Sequence, residues 1–310
     1  MEVIRESYDW PQRLQAGAVT IGNFDGVHAG HAKIIQRLVE RSRVLGGPAV
    51  VFTFDPHPVR LLRPQQVPPP LTWTERKAQL LEELGIDFMI AYPTDEALLS
   101  LTAEEFFNRI VSEQLQAKAL VEGPDFHFGK GRAGSIEMLH SLCNKADFSL
   151  DIVPPVQIEG SNVSSSRIRK LLLDGDVDQA RRLLTHPYRI RGMVTHGARR
   201  GGKIGFPTAN LDAIDTITPG VGVYAGRTMT PAGLRAAAIH IGPNPTFGEQ
   251  SLKVEVHIID WQGILYGEPL EVDFISRLRD IQRFDNVERL IEQLHNDIAR
   301  TIDVNKQHQG

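Results

Sequence analysis

The sequence predicts two domains: an α/β domain built on a parallel sheet, then a small antiparallel barrel or sandwich that ends in a helix. A length of 310 residues is typical of about two domains. In the first half, short apolar runs alternate with segments whose apolar residues recur at helical spacing, as in parallel sheets covered by helices on both faces. In the second half, glycines and short alternating runs indicate antiparallel strands.

Five apolar runs are the candidate strands of the α/β domain, at 18–22, 49–54, 87–92, 118–122 and 148–153. Helical stripes lie between them, for example Leu80, Leu81 and Leu84. Loops at the carboxyl ends of such strands are where ligands bind in this class of fold. The proline run at 67–70 predicts a stiff loop.

The sequence pattern changes near His186 and Pro187, after a short predicted helix over 176–184. Alternating strand and helix patterns precede this point, and glycines with short alternating runs follow it. We therefore place the division between a first domain, residues 1–185, and a second domain, residues 186–310. The candidate strands of the second domain are 188–194, 221–228, 235–241, 253–259 and 270–275. The terminal helix is predicted from an apolar stripe made by Val287, Leu290, Ile291, Leu294 and Ile298.

Composition narrows the class of protein. A net charge of -4 argues against a nucleic-acid binder. The single cysteine, Cys143, fits a reducing cytoplasm. No apolar run approaches the ~20 residues of a membrane helix, and the N-terminus lacks the apolar core of a signal peptide. We expect a cytoplasmic protein without nucleic-acid or membrane partners.

A first candidate site follows the first strand, where a loop leads into His28-Ala29-Gly30-His31 and a helix. Glycines allow the backbone to approach a ligand, and a helix N-terminus binds phosphate. His28 and His31 are three residues apart on the opening turn, so they can face one point. Adenylyl transfer to a phosphate needs positive charge and hydrogen-bond donors around the α-phosphate more than a strong base. The alternative is that the histidines only cap the helix.

Three further segments follow predicted strands and belong to the same edge of the sheet: 54–58, 123–132 and 164–169. The prolines of the first segment could also simply shape a turn. The serines of the last could be a helix N-cap, which does not exclude phosphate contacts.

A second candidate site lies in the glycine-rich loop at 192–205 and the following run, Gly-Phe-Pro-Thr-Ala-Asn-Leu at 205–211. Backbone N–H groups of such a loop can cradle phosphates. Thr208 and Asn210 are two apart, so in a strand they share a face, and their neutral oxygens suit Mg²⁺. Glu255 is the candidate base for a kinase reaction. The alternative is that Glu255 is a solvated strand residue paired with a neighbour.

The first half is similar to nucleotidyltransferases with a His-x-Gly-His signature, and it more closely resembles the prokaryotic bifunctional riboflavin kinase/FAD synthetases. The resemblance rests on the runs at 22–31, 55–58, 125–132 and 164–169. It implies a Rossmann-like nucleotidyltransferase fold in which His28, His31 and Arg169 stabilise the α-phosphate. The family usually has threonine where Ser166 stands, and the hydroxyl is kept. The other implied nucleotide or flavin contacts are Gly22, Asn23, Phe24, Asp25, Pro56, His57, Pro58, Asp125, Ser165 and Ser166.

Residues 192–302 resemble a riboflavin kinase domain, on motifs at 205–211, 222–225, 241–248, 254–257 and 266–267. This implies an antiparallel β-barrel with a terminal α-helix, in which Thr208 and Asn210 bind Mg·ATP and Glu255 activates the terminal ribityl hydroxyl. The implied nucleotide contacts are Gly197, Lys203, Gly205, Pro207, Thr208 and Asn210. The family commonly has arginine where this chain has Gly202. Arg199, Arg200 or Lys203 would then supply the charge.

The resemblance implies two consecutive reactions with Mg²⁺ as cofactor of both. The C-terminal domain would convert riboflavin and ATP into FMN and ADP. The N-terminal domain would convert FMN and a second ATP into FAD and pyrophosphate. Three alternatives stay open: a single active site, a flavin carrier or sensor without turnover, and a nucleotidyltransferase for another phosphorylated substrate.

Overall fold

The computed structural model describes residues 1–5, 10–197, 200–243 and 252–308, with the backbone alone at positions 200 and 203. The chain forms two compact units. The first comprises Met1–Pro68 and Trp73–Ser164, and the second comprises Pro69–Thr72 and Ser165–Gly310.

The first unit is built on a six-stranded parallel sheet in the order β1-β4-β3-β2-β5-β6. The five predicted strands are present, each within one residue of its predicted ends. The edge strand β1 was not predicted, because three residues are too few to show a period. The strands are β1 Glu2–Ile4, β2 Ala18–Ile21, β3 Ala49–Phe54, β4 Phe88–Tyr92, β5 Ala119–Glu122 and β6 Ser149–Ile152.

Helices cover both faces of this sheet, as predicted. On β3, Val50 and Phe52 belong to one buried cluster, while Ala49 and Val51 belong to the other, because alternate side chains leave opposite faces. The helices are α1 Ala29–Leu45, α2 Val59–Leu62, α3 Thr74–Glu83, α4 Glu96–Ser100, α5 Ala103–Phe106 continued by a π-helix Phe107–Gln114, and α6 Ile136–Ala146. A hairpin of β7 Gln157–Ile158 and β8 Ser161–Asn162 follows β6.

The central strand β2 has β3 on one side and β5 on the other. The chain continues from β2 to β3 and returns to β5 only later, so the sheet changes winding direction at β2. In doubly wound sheets, ligands bind outside the carboxyl ends of the strands at such a point.

The β2–β5 ladder covers only Ala18↔Ala119 and Val19↔Leu120. Beyond it, the Ile21 N–H donates to the buried Glu122 carboxyl at 2.7 Å, and burial raises the pKa of Glu122 well above its usual value.

The second unit is a closed antiparallel barrel in the order β10-β13-β12-β11-β14-β9, which decides between the predicted barrel and sandwich. Closure leaves the barrel without open sheet edges. The strands are β9 Tyr188–Thr195, β10 Ala209–Asp212, β11 Gly222–Thr230, β12 Gly233–Gly242, β13 Lys253–Ile258 and β14 Pro269–Arg279. The helices are α7 Ser165–Leu173, α8 Val177–Leu183, α9 Arg200–Lys203 and α10 Val287–Gln307.

The terminal helix α10 packs on the outer faces of β11, β12 and β14. The predicted helix is present, but its buried residues are the polar Asp297, Thr301 and Asn305. Asp297 forms a 2.7 Å ion pair with Arg279, and the Asn305 amide donates to the Gly226 carbonyl at 3.0 Å. The helix thus docks through hydrogen-bonded polar groups spaced four residues apart, which is one face of a helix.

Candidate active sites

The turn between β2 and α1 is conformationally strained. Phe24 and Val27 have φ values of 45° and 35°, in the left-handed region that is unusual for large or β-branched residues. Both side chains are buried, and Gly26 between them has φ 82°. Backbone strain of this kind costs free energy and is concentrated at functional sites. The turn brings His28 to the N-terminus of α1.

His28 and His31 are in direct contact. The rings stack with centroids 3.6 Å apart and an interplanar angle of 13°. The Nδ1 atom of His28 accepts a hydrogen bond of 3.3 Å from the His31 backbone N–H, so His28 does cap α1. A β-carbon on Gly30 would stand 3.2 Å from the His28 ring. His28 therefore both caps α1 and stacks on His31 at the start of the helix.

Burial makes both histidines neutral. It lowers the pKa of His28 to about 4, against weaker opposing effects of hydrogen bonding and of Asp25. It also lowers the pKa of His31 well below its usual value, and electrostatic repulsion from His28 and Lys77 acts in the same direction. Within the described residues, His31 Nδ1 and Asn23 Oδ1 are buried without a hydrogen-bond partner. Unsatisfied buried polar atoms are uncommon in folded proteins, and here they suit a polar ligand.

Lys77 of α3 is a buried cation that we did not predict. Its ammonium lies 3.4 Å from Thr53 Oγ1. Burial lowers the pKa of Lys77, and the negative charges of Asp25 and Asp55 oppose that effect. A buried lysine is rare unless it is paired, so the two carboxyl groups account for its position. One sequence signal could have revealed the buried Lys77. It stands three residues before Leu80, within the apolar stripe of α3.

The remaining predicted residues of the first site fall into two groups. In the first unit, His57 Nδ1 accepts from the Val59 N–H at 3.1 Å, Asp125 is exposed, and Gly22 lies close to the Phe24 ring. Pro56 and Pro58 are half-buried. In the second unit, α7 begins at Ser165 and Ser166, and the Arg169 guanidinium donates to the Pro69 carbonyl at 2.9 Å.

The second site is organised by strand register. Asn210 of β10 pairs with Glu255 of β13 and, on its other side, with Thr195 of β9. Directly paired residues project to the same face of a sheet, so the Asn210 amide and the Glu255 carboxylate are neighbours. Glu255 pairs in turn with His240 of β12, a residue that we did not predict.

The glycine loop packs closely against the Pro-Thr-Ala-Asn segment. A β-carbon on Gly197 would stand 2.2 Å from the Asn210 amide nitrogen, and one on Gly201 would stand 2.3 Å from the Phe206 carbonyl. Gly205 has φ 93°, a conformation that favours glycine. A β-carbon on Gly202 would have no atom within 4 Å in the part of the chain that the structure describes. Arg199 and the side chains of Arg200 and Lys203 lie outside the described residues.

Two cavities open beside this segment. One, of about 240 Å³, is lined by Thr208, Pro207, Val256, Trp261 and Tyr266 among others. The other, of about 490 Å³, is lined by Gly197, Asn210, Lys253 and His196 among others. His257 supports the segment, because its Nδ1 lies 2.8 Å from the Pro207 carbonyl and its ring contacts Phe206 edge-on.

The residues of the second site fit a magnesium ion. Thr208 and Asn210 offer neutral oxygens, and Glu255 adds a carboxylate beside Asn210. In the part of the chain that the structure describes, no group of three or more His, Cys, Asp or Glu residues could hold a metal by itself. Mg²⁺ commonly takes few protein ligands and completes its shell with water and substrate phosphates.

Comparison with known proteins matches both halves of the chain. Residues 11–167 match the FAD synthetase family, and residues 184–305 match the riboflavin kinase family. A bifunctional riboflavin kinase/FMN adenylyltransferase of Pseudomonas fluorescens is 35% identical over 300 residues, covering 96% of each chain. One of Bacillus subtilis is 33% identical over 290 residues, covering 92% of this chain and 91% of its own.

The chain belongs to the bifunctional riboflavin kinase/FMN adenylyltransferase family. It phosphorylates riboflavin to FMN and adenylylates FMN to FAD, and the two activities correspond to the two matched families. None of these comparisons favours a single activity or a carrier. ATP, riboflavin and FMN fit these activities as substrates.

A crystal structure from Streptococcus pneumoniae, described as that of a macrolide-efflux protein, has a TM-score of 0.85 at 33% identity. It covers 96% of this chain and 98% of its own, and it supports the same fold in both halves. Across the described residues of this chain, none of the helices is both long and apolar enough to cross a bilayer.

Proposed function

We propose that residues 1–185 carry the adenylyl transfer and residues 186–310 the kinase reaction. The division is supported by the two family matches, because the FAD synthetase match ends at residue 167 and the riboflavin kinase match begins at residue 184. The segment between them contains α8, which this division assigns to the first domain although α8 belongs to the second compact unit and packs on β14 of the barrel. Each domain then holds one of the two clusters of polar residues described above.

In the adenylyl transfer, the FMN phosphate oxygen attacks the α-phosphorus of ATP. The new P–O bond forms as the bond to the pyrophosphate breaks. The attacking phosphate is already an anion, so the site needs donors and positive charge more than a base. His28 and His31 are neutral, so each can donate one ring N–H to the α-phosphate, and the N-terminus of α1 adds its backbone N–H groups.

Residues outside this pair complete the first site in our proposal. Arg169 provides the fixed charge at the α-phosphate. Asp125, Ser165 and Ser166 contact nucleotide or flavin phosphate. The strained turn from Gly22 to Asp25 and the segment from Pro56 to Pro58 contact the nucleotide.

In the kinase reaction, Glu255 takes the proton of the terminal ribityl hydroxyl as that oxygen attacks the γ-phosphorus of the ATP bound at the second site. The bond from the γ-phosphorus to the bridging oxygen of the β-phosphate breaks, and ADP leaves. Thr208 and Asn210 would hold Mg²⁺. When bound, the ion would neutralise and orient the phosphates. Gly197, Lys203, Gly205 and Pro207 shape the loop around them. The strand register, which pairs Asn210 of β10 with Glu255 of β13, supports these two roles, because a residue that holds Mg·ATP and a proton acceptor must lie close together.

The observation that carries the adenylyl-transfer assignment is the stacked, neutral pair His28 and His31 at the start of α1. The test is His28→Ala, assayed separately for FMN formation from riboflavin and for FAD formation from FMN. We expect FAD formation to fall by roughly 100-fold or more, the usual effect of losing a transition-state donor, with FMN formation unchanged. His140→Ala is the control, because His140 is exposed on α6. A parallel loss of both activities in a folded variant would contradict the assignment.

A further inference from the structure

His257 of β13 lies beside the segment that carries Thr208. Val256 and Ile258 are buried in the barrel, and side chains alternate along a strand, so the His257 imidazole projects from the outer face. Its Nδ1 lies 2.8 Å from the Pro207 carbonyl oxygen. A carbonyl oxygen can only accept a hydrogen bond, so Nδ1 carries a proton and donates it. The strand β13 therefore presents an N–H donor to this segment.

This hydrogen bond holds the peptide group that leads directly into Thr208. The Pro207 carbonyl and the N and Cα atoms of Thr208 belong to one planar peptide unit, so a fixed Pro207 oxygen restricts where Thr208 can lie. Immediately after Thr208, Ala209 begins β10 and pairs with Val256 of β13. Thr208 is thus held between a side-chain hydrogen bond from β13 and the first pair of the β10–β13 ladder.

The residues just before Thr208 are also held in place. The Phe206 ring is buried and meets two imidazoles edge-on, that of His257 with centroids 5.8 Å apart and that of His295 on α10 with centroids 5.1 Å apart. The Phe206 N–H donates to the Gly201 carbonyl at 2.8 Å. Pro207 has no N–H, so its carbonyl is the only backbone group through which a hydrogen bond can hold it. The bond from His257 uses that group.

We propose that His257 is a positioning residue for the kinase reaction, which holds the peptide group between Pro207 and Thr208 so that Thr208 is already placed to bind Mg·ATP. This inference rests on the proposed role of Thr208. Without the imidazole N–H, the peptide group is free to move, and Thr208 must be ordered each time the nucleotide binds. That ordering cost weakens nucleotide binding. Riboflavin does not contact Thr208 in the proposed reaction, so its binding should not change.

The kinetic test compares two variants of His257. His257→Phe keeps a ring against Phe206 but has no donor, and His257→Asn keeps an N–H near the position of Nδ1. For His257→Phe, we expect KM for ATP in FMN formation to rise by roughly five- to tenfold, with KM for riboflavin changed by less than about twofold. His257→Asn should stay within about twofold of the unmodified enzyme for both substrates. A merely structural role would instead reduce the folded fraction, which lowers kcat without a selective change in KM for ATP.

A binding measurement gives a readout that does not depend on turnover. Trp261 lines the same cavity as Thr208, and the chain has three tryptophans, so the Trp261 indole N–H gives an NMR signal that Trp261→Phe assigns. Titration with ADP and Mg²⁺ should shift this signal. We expect the dissociation constant to be roughly five- to tenfold higher in His257→Phe than in the unmodified protein, and to be unchanged in His257→Asn.

His295→Phe is the matched control. It makes the same substitution at the second imidazole on Phe206, which forms no hydrogen bond to Pro207 among the described residues. KM for ATP should be unchanged in this variant, and FAD formation from added FMN should be unchanged in all of them. A rise in KM for ATP in His295→Phe or His257→Asn as large as that in His257→Phe would place the effect on packing around Phe206 and contradict the inference.

Thr208→Ala, measured in parallel, separates this inference from the proposed function. If Thr208→Ala leaves KM for ATP unchanged, or if Mg·ADP does not shift the Trp261 signal of the unmodified protein, the proposed role of Thr208 is overturned. If Thr208→Ala raises KM for ATP but His257→Phe does not, the role of His257 alone is overturned. If His257→Phe does not fold, His257→Asn decides: the inference requires its KM for ATP to lie within about twofold of that of the unmodified enzyme, and a larger rise contradicts it.

Discussion

Gly197 lies directly against Asn210, so closely that a β-carbon at position 197 would stand 2.2 Å from the Asn210 amide nitrogen. That distance is far below a normal contact, so any side chain at position 197 must displace the amide. Asn210 is also the register partner of Glu255 on the adjacent strand β13, so its side chain lies beside that of Glu255 on the same face of the sheet.

Gly197→Ala should impair the kinase selectively. Displacing the amide by a fraction of an ångström misplaces a group that we assign to Mg·ATP, so kcat/KM for FMN formation should fall by roughly 10- to 100-fold. Steady-state assays of both reactions check this, and FAD formation from FMN should be unchanged. Gly202→Ala, in the same loop but with open space around its β-carbon, is the matched control. Equal kinase activities in the two alanine variants would show that Gly197 does not position Asn210.

Gly202→Arg should strengthen ATP binding at the kinase site. A β-carbon at position 202 has no atom of the described residues within 4 Å, and arginine is the residue commonly found there in the family. One additional charge-assisted contact is worth about 1 kcal/mol, which corresponds to a KM for ATP lower by roughly fivefold. The measurement is KM for ATP at saturating riboflavin. An unchanged KM, or one equal to that of Gly202→Ala, would show that position 202 does not reach the nucleotide.

Gly30→Ala should separate activity from stability in the first site. The new β-carbon would stand 3.2 Å from the His28 ring, so the ring must move by a few tenths of an ångström. We expect FAD formation to fall by roughly three- to tenfold. The melting temperature should not fall, because alanine favours the helical state of α1 over glycine by roughly 0.5–1 kcal/mol. A lower melting temperature with unchanged turnover would place the effect on folding instead.

The buried histidines should make the protein sensitive to acid. The pKa of His28 is about 4 when folded and about 6.5 when unfolded, so the unfolded state binds more protons between these values. Stability is complete above pH 6.5 and is lost as pH falls toward 4. Between pH 7 and pH 5, His28 alone should cost about 2 kcal/mol of the free energy of unfolding. Urea unfolding of His28→Gln and the unmodified protein at both pH values measures this difference, and equal acid sensitivity would contradict the burial of His28 as a neutral group.

The strands of the parallel sheet could be predicted because they are buried on both faces. Val50 and Val51 point in opposite directions into two clusters, and the result is a continuous apolar run that stands out in the sequence. The start of α1 was equally predictable, because its glycines and histidines follow a strand directly. The three-residue strand β1 has no such signature, and it is held by pairing with β4, far along the chain.

The neighbours of the predicted site residues could not be found in the same way. His240 and Glu255 are paired by strand register, which depends on how β12 and β13 align and not on local spacing. Lys77 is brought to Asp25 and Asp55 only when α3 covers the sheet. The buried polar residues of α10, Asp297 among them, gain their partners only when the helix packs on the barrel. In the sequence alone, α10 therefore looks like an ordinary amphipathic helix whose polar face is exposed to solvent.

The most direct test of the central claim, two independent sites for two consecutive reactions, is complementation between two variants. His28→Ala and Glu255→Gln are each incubated with riboflavin, excess ATP and Mg²⁺, alone and as a mixture, and the flavins are separated over time. We predict that His28→Ala alone stops at FMN, that Glu255→Gln alone leaves riboflavin unchanged but converts added FMN, and that the mixture produces FAD from riboflavin. Loss of both activities in either folded variant, or a mixture that accumulates FMN without FAD, would contradict the account.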